Sequence, residues 1–186
     1  MSPETIDQNA TLLVVDVQAV TLPNARSVPA DVLAERIGVL VDAFRASGRA
    51  VAYAISTGTH GGRTDVQSMP RRWREQDLVV PTRIQPQRAD PVYRWTGWSA
   101  FAGTELSADL RRRGSAQVVV TGLATSYGVE STVRAAHDLG LDVVVPLDAV
   151  SDPDFDAHRH VVQHIFPLLA TTTLTEDLVG LVAVNA

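Results

Sequence analysis

The run Val14-Val15-Asp16-Val17-Gln18 places a carboxylate and a carboxamide directly after the apolar stretch Thr11 to Val15. A carboxylate at the mouth of a strand buried on both faces is partly desolvated, which raises its pKa and suits it to general acid or base work near neutral pH. Capping of nearby loop amides is an equally good use of Asp16 on position alone. Gln18 follows on the same side and is expected to orient a substrate or the carboxylate, or to bond the loop. A second candidate segment, Arg94 to Ser99, contributes Arg94, Trp95 and Trp98. A third runs from Val118 to Val129, where a β-rich run passes through Gly122, Leu123 and Ala124 into Thr125-Ser126-Tyr127-Gly128. Amides at a helix start there would point toward the sheet edge and form an anion or oxyanion site, with Leu123, Ala124 and Gly128 as its backbone.

The residue types that are missing narrow the chemistry further. The 186 residues include no Cys and no Lys, so all 16 basic residues are Arg. Thiolate nucleophiles, cysteine metal sites, Schiff bases and a P-loop lysine are therefore excluded. A net charge of −5 argues against nucleic acid as a partner. The clusters Arg71, Arg72, Arg74 and Arg111, Arg112, Arg113 are expected to be solvated surface, the second at a helix C-terminus before Gly114.

These residues must be positioned by elements that the periodicity predicts. Strands are expected at 11–15, 51–55, 91–94, 117–121, 141–145 and 170–174. Helices are expected from Leu33 to Phe44 with a stop at Gly48, then over 104–113, from Val129 to Leu139, over 158–166 and over 176–182. Residues 57–90 read as a long loop, a lid or part of a partner surface. Strands alternating with helices imply right-handed crossovers and one α/β domain spanning 1–186, three layers α/β/α with a central, mostly parallel sheet. No apolar run is long enough for a membrane helix and the polar, acidic start lacks a secretory layout, so a soluble cytoplasmic protein is expected.

Together the segments resemble the isochorismatase-like hydrolase superfamily, the cysteine hydrolase family. The resemblance is carried by Leu12 to Gln18, by Asp90-Pro91-Val92 through Ser99-Ala100-Phe101 to Leu106, by Val119-Val120-Thr121-Gly122 through Thr132, and by Thr171-Thr172-Thr173. It implies a Rossmann-like topology and a small-molecule substrate. The family's amide hydrolases use an Asp, a Lys and a Cys. Asp16 matches the first, Trp95 falls at the lysine position without a gap and Arg94 with one inserted residue, and Gly128 falls at the cysteine. Isochorismatases resemble this chain in carrying glycine there, and they cleave a vinyl ether by protonation from the strand-end aspartate. The resemblance therefore implies Asp16 acid or base chemistry without a covalent cysteine, in a pocket with Gln18, Arg94, Trp95, Trp98, Tyr127 and Gly128, and with no cofactor or metal. It also implies a homodimer or higher homo-oligomer, whose interface is expected to use Met69, Pro70, Trp73, Val79 and Val80.

Two other readings compete. A non-catalytic binding or scaffolding protein on the same fold is supported by the missing Lys and Cys. A serine hydrolase using Ser126 is suggested by Ala124-Thr125-Ser126-Tyr127-Gly128, one residue from G-x-S-x-G, followed by Asp148 and by His158, His160 or His164. His160 and His164, spaced i and i+4, are expected to be a surface pair rather than metal ligands.

Overall fold

The computed structural model describes residues 5–65 and 69–184. In chain order it builds β1 (Thr11–Val15), α1 (Ala30–Ala46), β2 (Ala50–Ser56), β3 (Gly58–Thr59), β4 (Arg71–Arg72), β5 (Val92–Trp95), α2 (Leu106–Arg113) and β6 (Gln117–Leu123). There follow α3 (Glu130–Asp138), β7 (Asp142–Pro146), β8 (Val150–Ser151), α4 (Phe155–His160), α5 (Phe166–Leu169), β9 (Thr171–Thr173) and α6 (Thr175–Val184). A wide π-type turn, Thr125–Val129, leads into α3, and a second, Val161–Ile165, joins α4 to α5.

The sheet runs in the order β5-β2-β1-β6-β7-β9 with every neighbouring pair parallel, and β8 adds beside the end of β6. Parallel strands need crossovers on the faces, so the central strands lose water on both sides. Accordingly β1 is buried at all five positions. Its alternation divides the core: Leu12 and Val14 join Leu33, Ile37 and Phe44 of α1 and Leu178 and Val182 of α6. Leu13 and Val15 join Leu106 and Leu110 of α2 and Val133 and Ala136 of α3. Burial of each such side chain contributes about 1.5–3 kcal/mol, so the pattern that makes β1 a strand also fixes both helical layers.

The chain winds from β1 outward to β2 and β5, then returns to the other side of β1 as β6. Winding reverses between β1 and β6, and the crevice beyond their C-terminal ends is where a ligand fits in such sheets. The strands approach closely there. A Cβ on Gly122, which has φ of 118°, would lie 2.0 Å from the carbonyl oxygen of Val15, its register partner. Any side chain at 122 would push β6 off β1 immediately beside Asp16.

The described residues of segment 57–90 are mostly irregular, as expected, but a short antiparallel ladder, Gly58 with Arg72 and Thr59 with Arg71, ties its two limbs together. Its return path is fastened to the loop after β1 by amide bonds from Ala19 to the Val79 carbonyl and from Val20 to that of Asp77. Trp73 and Val80 turn inward onto the core, while Met69 and Val79 remain exposed. Arg111, Arg112 and Arg113 are exposed in the last turn of α2, which ends on Gly114.

Candidate active site

Asp16 is the first residue past β1 and takes a positive φ of 52°, a conformation that Asp tolerates better than most side chains. Thr21 donates its hydroxyl to the Asp16 carbonyl, and the Asp16 amide donates to Ala54 O at 2.9 Å. The carboxyl group is thereby turned into the crevice. Its Oδ1 accepts from the Ser56 amide at 2.8 Å and from the Trp95 indole Nε1 at 3.2 Å, whereas no hydrogen bond among the described residues reaches Oδ2. Burial pushes the Asp16 pKa up to about 7, and the two N–H donors only partly offset this. Among the described residues no ion pair reaches it, and Trp95, not an Arg, fills the neighbouring place.

That choice follows from strand alternation. In β5, Tyr93 and Trp95 point inward and Val92 and Arg94 outward. Arg94 forks onto Glu75, Nη1 to Oε1 at 2.7 Å and Nη2 to Oε2 at 2.8 Å. It therefore lies outside the cavity that holds Asp16.

The opposite wall is the turn after β6, which begins at a cis peptide bond between Leu123 and Ala124. Gly128 is buried and faces Asp16: a Cβ there would meet Asp16 Oδ2 at 3.3 Å. Much of this turn's backbone is already engaged. The Tyr127 and Val129 amides donate to the Ala124 carbonyl, and the Ser126 amide donates to Asp152 Oδ2 at 2.7 Å. Those three amides are thus committed within the protein instead of facing a ligand.

Around these groups lies a cavity of about 460 Å³. Of the residues singled out from the sequence, Asp16, Ala124, Tyr127, Gly128 and Trp98 line it. Trp98 and Tyr127 meet edge to face at its rim, with centroids 5.0 Å apart. Leu123 is buried at the end of β6. Gln18 does not line the cavity: it is fully buried, and its Nε2 donates to the Ser56 carbonyl at 2.8 Å. It props the strand end that supplies the Ser56 amide to Asp16, because the tight turn after Asp16 folds residue 18 beneath the sheet edge.

Sequence reasoning passed over Thr21, Asn24, Ser56, Thr59 and His60 and assigned Trp73 to a subunit interface, yet all six line the cavity. Ser56 had a usable signal, since it ends β2 and the strand-end rule applies to it as it does to Asp16. Thr59 stands on the short strand β3, and the rest sit on segments whose course depends on tertiary packing.

The serine-hydrolase arrangement is not assembled. Ser126 Oγ donates directly to Asp152 Oδ2 at 2.8 Å, and His158 Nδ1 pairs with Thr125 Oγ1 at 2.9 Å. Asp148 instead accepts from the Thr175 amide and hydroxyl and pairs with Arg36. His160 and His164 are exposed, with ring centroids 5.3 Å apart. Among the described residues no group of three His, Cys, Asp or Glu side chains could hold a metal ion.

Comparison with known proteins bears on the fold and the family. Residues 10–177 match the isochorismatase domain. An uncharacterized isochorismatase family protein, YecD of Escherichia coli O157:H7, is 31% identical over 93% of this chain and 96% of its own length. A streptothricin hydrolase of Streptomyces noursei is 35% identical over 78% of this chain and 51% of its own length. Among solved structures, an isochorismatase family protein from Burkholderia thailandensis superposes with a TM-score of 0.91 at 29% identity, covering 96% of this chain and 98% of that one.

Proposed function

Because this chain belongs to the isochorismatase family, we propose that it hydrolyses or rearranges a small metabolite, with Asp16 moving the proton and no protein side chain attacking covalently. The hydrolytic class is supported by relatives such as streptothricin hydrolase. The cysteine route of the family's amide hydrolases is removed by composition, since the sequence contains neither Cys nor Lys and position 128 is glycine.

The observation that carries the reading is the unequal treatment of the two Asp16 oxygens. Oδ1 already accepts two N–H bonds, so the proton of the neutral acid resides on Oδ2, which points into the cavity above Gly128. With a pKa of about 7, comparable amounts of acid and conjugate base are present at neutral pH, as efficient general acid–base catalysis requires.

For a vinyl ether, Oδ2–H protonates the terminal alkene carbon and leaves an oxocarbenium ion, which the new carboxylate stabilises. Water then adds to the cationic carbon and returns a proton to Asp16. The resulting hemiketal collapses to a carbonyl compound and an alcohol. Aromatic walls from Trp73, Trp98 and Tyr127 suit a ring-bearing or apolar substrate.

The open cavity favours an enzyme over a scaffold, because no side chain among the described residues plugs the space beside Oδ2. Asp16→Asn, assayed with an aryl vinyl ether, is expected to keep the fold and lose on the order of a hundredfold in kcat. Undiminished turnover by the folded variant would sink the mechanism. Failure of the parent protein to turn over aryl vinyl ethers would remove the vinyl-ether form of the reading.

A further inference from the structure

Asp152 is fully buried and stands directly past β8, where both of its carboxylate oxygens are engaged. Oδ2 accepts from the Ser126 amide at 2.7 Å and the Ser126 hydroxyl at 2.8 Å, and Oδ1 accepts from the Asp154 amide at 2.9 Å. A carboxylate accepts on both oxygens at once, whereas a carboxamide has one oxygen and would turn its NH2 group toward one of these donors. The place therefore calls for an acid, although Asp152 does not line the cavity around Asp16.

The main chain of Asp152 is engaged elsewhere. The Arg26 and Ser27 amides donate to its carbonyl at 3.2 and 3.1 Å, and its own amide donates to Ser27 Oγ at 2.9 Å. These bonds fix the loop that runs on from Thr21 and Asn24, while the carboxylate fixes the turn after β6 that carries Ala124, Tyr127 and Gly128. All five of those residues line the cavity, so residue 152 joins two of its walls. Among the described residues, the other side-chain bond that reaches the turn from outside joins His158 Nδ1 to Thr125 Oγ1.

Resting on the reading of Asp16 as the proton carrier, we infer that Asp152 is a positioning residue for that step: it holds the turn after β6 against the loop after β1 and so sets the gap between Gly128 and Asp16 Oδ2. The gap is narrow, since a Cβ on Gly128 would meet Oδ2 at 3.3 Å, and a turn held that close limits the water around the carboxyl group. Burial is what raises the Asp16 pKa to about 7. Releasing the turn would admit water and return the group toward an ordinary carboxylate.

The titration of Asp16, followed by NMR through the carboxyl carbon signal that Asp16→Asn removes, tests this without any substrate. In Asp152→Ala the midpoint is expected to fall by about one pH unit or more. Asp152→Glu keeps the charge but displaces the oxygens by a methylene, so it should shift the midpoint the same way. Asp152→Asn, which keeps one acceptor oxygen, should give a smaller fall and serves where the Ala variant does not fold. Ser126→Ala retains the amide bond to Oδ2 and should stay near the parent. Asp148→Asn, which loses the pairing with Arg36, should lower the urea midpoint and leave the Asp16 titration in place, as a purely structural acid would. An unmoved Asp16 midpoint in the folded Asp152 variants, a fall in Ala and Asn but not in Glu, or an equal fall in Asp148→Asn would overturn the inference. The proton-carrier reading fails separately, on undiminished turnover by Asp16→Asn.

Discussion

Gly128 and Asp16 face each other so closely that a Cβ on residue 128 would lie 3.3 Å from Asp16 Oδ2 and 3.0 Å from the Leu123 carbonyl oxygen. Gly128→Ala is therefore expected to fold at a cost of about 1 kcal/mol. Its methyl group would stand where Oδ2 meets substrate and lower kcat/KM about tenfold or more. Denaturant unfolding and steady-state kinetics check both halves. A variant as active as its parent would remove Oδ2 as the site of proton transfer.

The rate should follow the acid form of Asp16. With its pKa near 7, kcat/KM is expected to be flat at lower pH and to fall about tenfold per pH unit above 7. Trp95→Phe deletes an N–H bond that favours the carboxylate, so the falling limb should move to higher pH. A limb that stays in place in the variant would mean that Trp95 does not tune Asp16.

Stability carries the same signature with a definite sign. Burial raises the Asp16 pKa from 3.8 to about 7, so its contribution is fully present below pH 4 and is lost as pH rises toward 7. At 1.36 kcal/mol per unit, ionisation costs the fold on the order of 4 kcal/mol. Asp16→Asn, neutral throughout, should gain stability relative to the parent between pH 4 and pH 8 by a few kcal/mol, read from urea midpoints across that range. A constant difference between the two proteins would refute the buried-acid assignment.

Ser126 is expected to support the turn without attacking substrate. Its amide and hydroxyl both donate to the buried Asp152. Ser126→Ala removes one of those bonds and should cost about 1–2 kcal/mol while leaving most of the activity. Phosphonates should not label the parent protein. Stoichiometric labelling at Ser126 would restore the serine-hydrolase reading.

Local sequence was enough for the layers and for the strand-end carboxylate. Continuous apolar runs such as Thr11 to Val15 mark strands buried on both faces, helical spacing from Leu33 to Phe44 marks α1, and an acid directly after a buried strand is visible without coordinates. Composition removed thiol and lysine chemistry outright. These properties are local because burial periodicity and residue type are written along a few consecutive positions.

The partners of Asp16 were decided by tertiary structure. Whether Arg94 or Trp95 stands beside it depended on which face of β5 turns inward, and that follows from pairing β5 in register with β2. Gln18 sits one step along from the carboxylate, yet the left-handed turn at Asp16 buries it under Ser56. His60 and Trp73 reach the site through an irregular segment whose path has no period to read. Loop courses are set by contacts between distant parts of the chain, such as Ala19 with Val79 and Trp73 with Thr57, so only the folded molecule brings those side chains to the crevice between β1 and β6.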